Sequence, residues 1–472
     1  MDVLALLAER LPDGAVSTHP GELTSRSHDA WPLAMLREAR GERLPRPMAV
    51  VFPRSTDDVA ATLAWAAETR TPVVPRGAGS GVCGGAQAVW RGIVLDVSRM
   101  DRVVGIDEES LAVEVEAGIR GDRVESQLNK RQLTLGHYPQ SLAISSIGGW
   151  IASGSAGQAS ARYGSIEDLI LGLTAVLAGG HVLRLRSTPR SAAGPDLRTL
   201  LTGSEGTLAV VTRATLSVAR LPEERRWLAY GLAGFAEGIT VAREVIQRGC
   251  QPTILRLYDQ ADALVTFGSL GHDSGAVLLL GFDSPSSLEG SVKAADEVAS
   301  SAGAEPRPET YGEHWWEHRN DAVETYRRIM GEERQLGSGV IVDTMEVAGL
   351  WRRLPSLYQA VWEALFRHAS QAVACHVSHA YRSGASLEFT FLVHADDDEK
   401  AERAYARGWA DAARACHRAG GTMTHHSGVG MLKAPFLEKE LGTVGLNVLR
   451  RVKEAMDPTG ILNPGKLLPP EE

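Results

Sequence analysis

Two histidines stand side by side in GGTMTHHSGVG, residues 420–430, just before a glycine-flanked turn. Imidazoles at such a place can ligate a metal, move protons or pack. Consecutive residues cannot share one face of a helix or strand, so His425 and His426 alone do not make a two-ligand metal site. A different chemistry is written in PRGAGSGVCGG, residues 75–85, where five glycines fall within eleven residues. Without Cβ atoms, successive backbone N–H groups can converge on an anion, and a pyrophosphate is the natural guest. Composition alone would also allow a surface turn there. The stretch lacks the GK[ST] of a Walker loop and is not a GxGxxG opening a helix. Finally, Arg256 sits in the apolar run TILRLY, where a guanidinium is expensive to bury without an anion, either a structural carboxylate or a substrate.

The elements that must position these groups can be traced along the chain. Residues 1–44 read as one or two helices. MAVVFP, from Met48, is a short apolar strand, STDDVAATLAWAAETR starts with a cap and has helical spacing, and TPVVPRGAGSG is a strand breaking into glycine. LAVEVEA alternates like a strand wet on one face. Residues 139–220 hold the densest cluster of small residues, and beyond RLPEERRW amphipathic helices alternate with strands to about residue 405. A last part, 406–472, carries the histidine pair and ends in MDPTGILNPGKLLPP.

The 472 residues exceed what one core usually supports, and the apolar content of 44% is that of a globular enzyme. A net charge of −9 with no basic run argues against a nucleic-acid surface and for a small-molecule substrate. No apolar run reaches the ~20 residues that span a bilayer, and the N-terminus is acidic where a secretion signal would be basic, so a cytoplasmic protein is expected. Cys83, Cys250, Cys375 and Cys416 are far apart and form no CxxC pair, which points to reduced thiols.

The glycine-rich loop resembles the pyrophosphate loop of the vanillyl-alcohol-oxidase (PCMH-type) FAD flavoproteins, and three further segments of that fingerprint follow in order. HYPQSLAISSIGGWIASGSAG looks like the second flavin segment; ARYGSIEDLILGLTAVLAGGHVLRL and GPDLRTLLTGSEGTLAVVTRATL look like the third and fourth. The resemblance implies an α+β fold: a PCMH-type FAD-binding domain over 45–220, a cap domain with an antiparallel sheet over 221–405, and a segment 406–472 returning to the FAD domain. The substrate is expected where the two domains meet. It implies FAD contacts from Pro75, Arg76, Gly77, Ala78, Gly79, Ser80 and Gly81 in the loop; from Pro139, Ser141, Ser145, Ser146, Gly148, Gly149, Ser153, Ser155 and Gly157 in the second segment; and from Tyr163, Ile166, Glu205, Gly206, Thr207 and Val210 beyond it. The physical reading agrees, since small residues suit a flat ring lying against backbone. Ser80 stands where covalent relatives carry histidine, so noncovalent FAD is expected.

Within that family, ARYGSIEDLI, AGPDLRTLLTGSEGTL and ILRLYDQADA look most like alkyldihydroxyacetonephosphate synthase, the ether-lipid enzyme. That resemblance implies a proton-moving tyrosine at Tyr381, catalytic use of His425 and His426, and substrate-phosphate contacts from Arg256 and Arg328. In that family the flavin N5 forms an adduct with the phosphoketone, the acyl group leaves and a fatty alcohol enters. Two departures favour other readings. Ser427 stands where the family has histidine before the glycine turn, and DPTGILNPGK looks more like the D-2-hydroxyacid dehydrogenases of the D-lactate and glycolate type. Those relatives bind a metal through a histidine-rich HVGDGNxH segment, but CHVSHAYRSGAS has lost its Asp-Gly-Asn core, so no metal is expected despite His376 and His379. A flavoprotein that binds without catalysing is the third reading, resting on Ser427. Lys466 either reaches the flavin region or caps the C-terminal helix. A lipid precursor as substrate leaves a peripheral membrane contact open, and the sequence leaves a homodimer open.

Overall fold

The computed structural model describes residues 3–284, 288–369 and 372–469. The chain forms two structural units. One gathers the chain through Ala156, Ser165–Ala219 and the part from His426 onward; the other comprises Gly157–Gly164 and Arg220–His425. The boundaries differ from those expected in three places, the first being Gly157–Gly164, which fall in the second unit and not in the FAD-binding stretch 45–220. The N-terminal residues are part of the first unit rather than a separate segment, and the C-terminal part begins at His426 rather than 406. Residues 406–419 cannot begin a new segment because they continue the helix Asp398–Ala419, which Asp397 caps by accepting the Lys400 N–H and which ends at Gly420 in the left-handed region.

In the first unit, strands Ala49–Val51, Ile93–Asp96 and Val73–Arg76 run parallel, with Val16–Ser17 added antiparallel at one edge. The helix Thr56–Thr69 lies between the first and last of these in sequence; Ser55 accepts the Asp58 N–H at its start and Arg70, at φ 53°, stops it. Val59, Leu63, Trp65 and Ala66 from this helix are fully buried against the strands. A second, antiparallel sheet has the strand order Val103–Asp107, Ala112–Glu116, Val210–Ser217, Ile170–Val176, Val182–Leu185. The alternation in LAVEVEA is real, with Val113 and Val115 in the core. Its other face is drier than expected, because Glu116 is buried and bonded by the Arg102 guanidinium at 2.8 and 3.1 Å.

The second unit is built on a seven-stranded, wholly antiparallel sheet, in the order Glu305–Arg307, Glu224–Leu232, Ala276–Ser284, Ile254–Tyr258, Ala372–Ala380, Gly384–His394, Val340–Leu350. Ile341, Met345, Val347, Cys375, Val377, Leu387 and Phe389 are fully buried. The helices Leu354–Phe366 and Asp398–Ala419 pack on this part of the sheet. The residues alternating with these include Thr344, Glu346, His376, Ser386, Glu388 and Thr390, so the opposite face is polar. Among the described residues, no helix is long and apolar enough to cross a membrane.

The C-terminal helix Leu437–Met456 leads into a turn organised by Asp457. Its buried carboxylate accepts the Ile461 and Leu462 N–H groups at 3.1 and 2.8 Å and pairs with Lys453. The same Lys453 ammonium donates to the carbonyls of Thr207 and Leu462. Lys453, not Lys466, therefore serves the end of this helix. Asp457→Ala would strand a largely buried ammonium and two N–H groups; it is expected to cost about 3 kcal/mol, read as a lowered urea midpoint at unchanged slope.

Candidate functional site

In the second unit, the strand Ala372–Ala380 carries an irregularity between Val377 and His379, which re-aims the side chains at its end. His379, buried, lies within hydrogen-bond distance of the Gly157 carbonyl through Nε2, at 3.0 Å, and of the Ser378 and Ser386 hydroxyls through Nδ1. Its ring lies 5.0 Å from that of His425. Tyr381 follows in the tight connection to the next strand, where its N–H donates to the Gly384 carbonyl and Trp351 donates to its own carbonyl. His425 is delivered from the other direction. Thr422 exchanges both backbone bonds with Ala348, at 2.9 and 3.0 Å, fastening residues 421–425 to the edge of the sheet, and Glu346 accepts the His425 N–H. The two approaches meet in a 2.8 Å hydrogen bond between Tyr381 Oη and His425 Nε2.

Such a pair can pass a proton between phenol and imidazole, so a substrate proton taken by one group can be held by the other. His376, three residues before His379, does not join it. Its Nδ1 faces Asp262 at 2.7 Å, its Nε2 lies 3.8 Å from Glu388, and its ring stacks near Tyr258. Glu388 stands opposite both His376 and Glu346 in the ladder. Carboxylates directly opposite one another destabilise a sheet, so fold stability alone does not account for them.

The two arginines have different fates. Arg256 is buried on the central strand beside the Trp315 ring, and its Nε has no hydrogen-bond partner. Arg328 is exposed on the helix Asp321–Met330, so its charge is already solvated where it stands. The periodicity of TYRRIM had the ordinary charged helix face in it.

In the first unit, the strand Val73–Arg76 opens into the glycine-rich loop. A methyl group at Gly79, where φ is 71°, would fall 2.0 Å from Arg76 Nη2, and one at Gly77 would fall 2.1 Å from Ser146 Oγ. Gly79 requires glycine for its backbone, and at Gly77 a side chain would have to displace the Ser146 hydroxyl. Among the described residues, the backbone N–H groups of residues 78–82 donate to no backbone carbonyl. Consecutive free donors in a Cβ-poor loop, with the half-buried Arg76 guanidinium beside them, suit a pyrophosphate. The N-terminal residues brace this loop, a role the sequence did not signal. Ala30 donates to the Gly81 carbonyl, Arg76 donates to the His28 carbonyl, and the Asp29 carboxylate accepts the Ala86 N–H.

Other residues expected at the cofactor have internal partners. Ser141 and Ser145 bond one another, and Ser145 accepts the Trp150 indole N–H at 2.7 Å. Ser146 caps the helix Ile147–Ser153, and Ser153 bonds back to the Gly149 carbonyl. Gly148 permits a close approach to Ala117, Gly206 one to Pro75. The Thr207 hydroxyl donates to the Ser204 carbonyl. Ile166 and Val210 are core residues, Val210 within the sheet ladder. Gly157 and Tyr163 belong to the second unit. Glu205 turns its carboxylate to the Val429 and Gly430 N–H groups. Lys466 is buried and donates to the Pro464 carbonyl; burial pushes its ammonium down to about 8 against the pull of Asp29 and Glu205.

His426 begins the returning part of the first unit. It faces His137, a residue whose importance the sequence did not show. His137 is fully buried, shares a 2.9 Å hydrogen bond with the Ser155 hydroxyl through Nε2, and packs on Trp150. Burial first, and the charge of His426 second, push its imidazole down to about 3.

The chain belongs to the FAD-linked oxidases. Residues 47–186 match the FAD binding domain, and residues 221–467 match the C-terminal domain of FAD linked oxidases. It is 30% identical over 484 residues to the alkyldihydroxyacetonephosphate synthase of Trypanosoma brucei brucei, covering 93% of this chain and 75% of that one. It is equally 30% identical, over 435 residues, to the glycolate oxidase subunit GlcD of Bacillus subtilis, covering 89% of each. A solved alkyldihydroxyacetonephosphate synthase structure superposes with a TM-score of 0.79 at 22% identity, over 98% of this chain and 84% of that one, which establishes the shared fold.

His137 generates a pH prediction. An imidazole titrating near 6.5 when unfolded and near 3 when folded contributes stability that is present above pH 6.5 and is lost as pH falls toward 3. Replacing it in His137→Gln should lessen the fall in unfolding free energy between pH 7.5 and pH 5 relative to wild type, by roughly 2 kcal/mol at about 1.4 kcal/mol per pH unit. Urea melts at the two pH values check this.

Proposed function

We propose that this chain is an enzyme of the alkyldihydroxyacetonephosphate synthase type, which exchanges the acyl group of a phosphoketone lipid precursor for a fatty alcohol without net redox change. The observation that carries this reading is the 2.8 Å bond joining Tyr381 and His425. The reaction needs a proton removed from carbon and later returned, and a phenol backed by an imidazole is suited to both directions. When bound, FAD supplies the electron-poor ring that activates the substrate carbon. The chain's residues do the rest: Tyr381 moves the proton at carbon, His425 holds it, and His379 supports His425 from the other side. Arg256, buried with an unmet Nε donor, suits an anionic group such as a phosphate. His426 is proposed to take the part of the family histidine whose place Ser427 occupies.

A second reading is oxidation of a D-2-hydroxy acid, and the polar sheet face favours it. His376, Glu388, Thr390 and Glu346 offer little apolar bed for a long chain, whereas a compact, hydroxylated acid would find donors and acceptors there. The two readings separate in one anaerobic titration. Bleaching of the flavin band by an acyl-dihydroxyacetone phosphate, reversed by a fatty alcohol, supports the exchange; bleaching by D-lactate, glycolate or 2-hydroxyglutarate supports the dehydrogenase.

Two predictions follow from this geometry. Tyr381→Phe keeps the ring but removes the proton, and should lower turnover about 100-fold or more while leaving the FAD content unchanged. FAD is proposed to be noncovalent, since Ser80 offers no imidazole for a ring linkage. Acid precipitation should therefore leave the yellow colour in the supernatant, and colour retained in the pellet would contradict it.

A further inference from the structure

We propose that Glu205 is a positioning residue, a buried buckle that holds the turn directly after the histidine pair and so sets where His426 stands. The inference rests on the reading of these histidines as working groups. It starts from a residue in an uncommon conformation. Glu205 has φ 52°, the left-handed region that favours glycine, yet it is followed rather than replaced by a glycine. The backbone there is held from both sides: its N–H donates to the Ala152 carbonyl at 2.8 Å, and its carbonyl accepts the Asn463 side-chain amide at 2.7 Å. That clamped geometry sends the side chain inward.

The carboxylate is spent on the turn. One oxygen accepts the Val429 N–H and the other the Gly430 N–H, the latter at 2.8 Å. A fork with two acceptors matches two successive donors in a way that an amide or a hydroxyl cannot. Gly428 is fitted to it, since a methyl group there would fall 2.8 Å from the same carboxylate. The fully buried Lys433 faces the carboxylate, with Asp29 and Lys466 the other charges nearby. Burial pushes the carboxyl up to about 7, against the N–H groups of Val429 and Gly430 and the charge of Lys433. Beyond the turn, the Cys83 carbonyl accepts the Met431 and Leu432 N–H groups, so the histidine turn is tied to the glycine-rich loop by one further anchor only a residue away.

The test needs no substrate, so its failure and that of the functional reading stay distinguishable. Hydrogen exchange of the FAD-loaded protein, read by mass spectrometry, compares wild type with Glu205→Gln and Glu205→Asp. In Glu205→Gln the amide N–H₂ confronts a backbone donor, and exchange at Val429 and Gly430 should quicken about tenfold or more while the strands Ile170–Val176 and Val210–Ser217 are unchanged. In histidine-labelled protein, the ring resonance of His426 should shift while those of histidines remote from it, such as His181 and His272, do not. Glu205→Asp keeps the charge but shortens the reach, and should show the same change in smaller measure. Unchanged exchange at 429–430 overturns the proposal. So does loss of FAD with an unchanged turn, which would make Glu205 a cofactor residue, and so does unfolding of both variants, which would make it a folding residue.

Discussion

The return of the C-terminal segment onto the glycine-rich loop is the constraint from which the first unit takes its shape. The Val73 N–H donates to the Ile461 carbonyl and the Val73 carbonyl accepts the Asn463 N–H, the Cys83 carbonyl accepts two N–H groups from residues 431 and 432, and the Asn463 side chain bridges the carbonyls of Gly85 and Glu205. These are bonds of backbone to backbone or of backbone to a single amide, so they hold geometry more than they add stability. Around them lie Asp29, Glu205, Lys433 and Lys466, all buried, two of each sign. Isolated, each would be costly inside a protein; acids and bases placed together lower that cost.

The second unit solves a different problem. A long antiparallel sheet with helices over one part of it buries alternate residues and leaves the others free to carry chemistry. The cost is visible in Glu346 and Glu388, placed opposite one another in the ladder, and in Arg256, buried without a full set of partners. Structures tolerate such local conflicts where a ligand or a reaction resolves them.

Much of this was legible before any coordinates. Ser55 announced its helix, TPVVPRG its strand and turn, and the small-residue segments the FAD domain. Tyr381 and His425 were chosen by resemblance, and the structure joins them through one hydrogen bond. What escaped was long-range. Nothing in TSRSHDAW marks Asp29 and His28 as braces of a loop some fifty residues later, and the alternation of TILRLY does not reveal that the burial of Arg256 is shared with Trp315. The serines of the second flavin segment carry more than one role for a physical reason: a small hydroxyl residue suits a ring face, a helix cap and a tight chain crossing equally well. Ser145 and Ser146 are used for the latter two.

The loop that suits a pyrophosphate is braced by residues 28–30 on one side and by residues 430–463 on the other. A ribosome delivers these parts in order, at about 5–20 residues per second, and residues 431–463 arrive long after the loop itself. The strands and the Thr56–Thr69 helix can assemble early, but the cradle stays incomplete until residues 431–463 have been made. Cofactor capture in its final geometry thus waits on residues 431–463, and a truncation that removes them takes away a wall of the cradle while leaving every glycine of the loop in place.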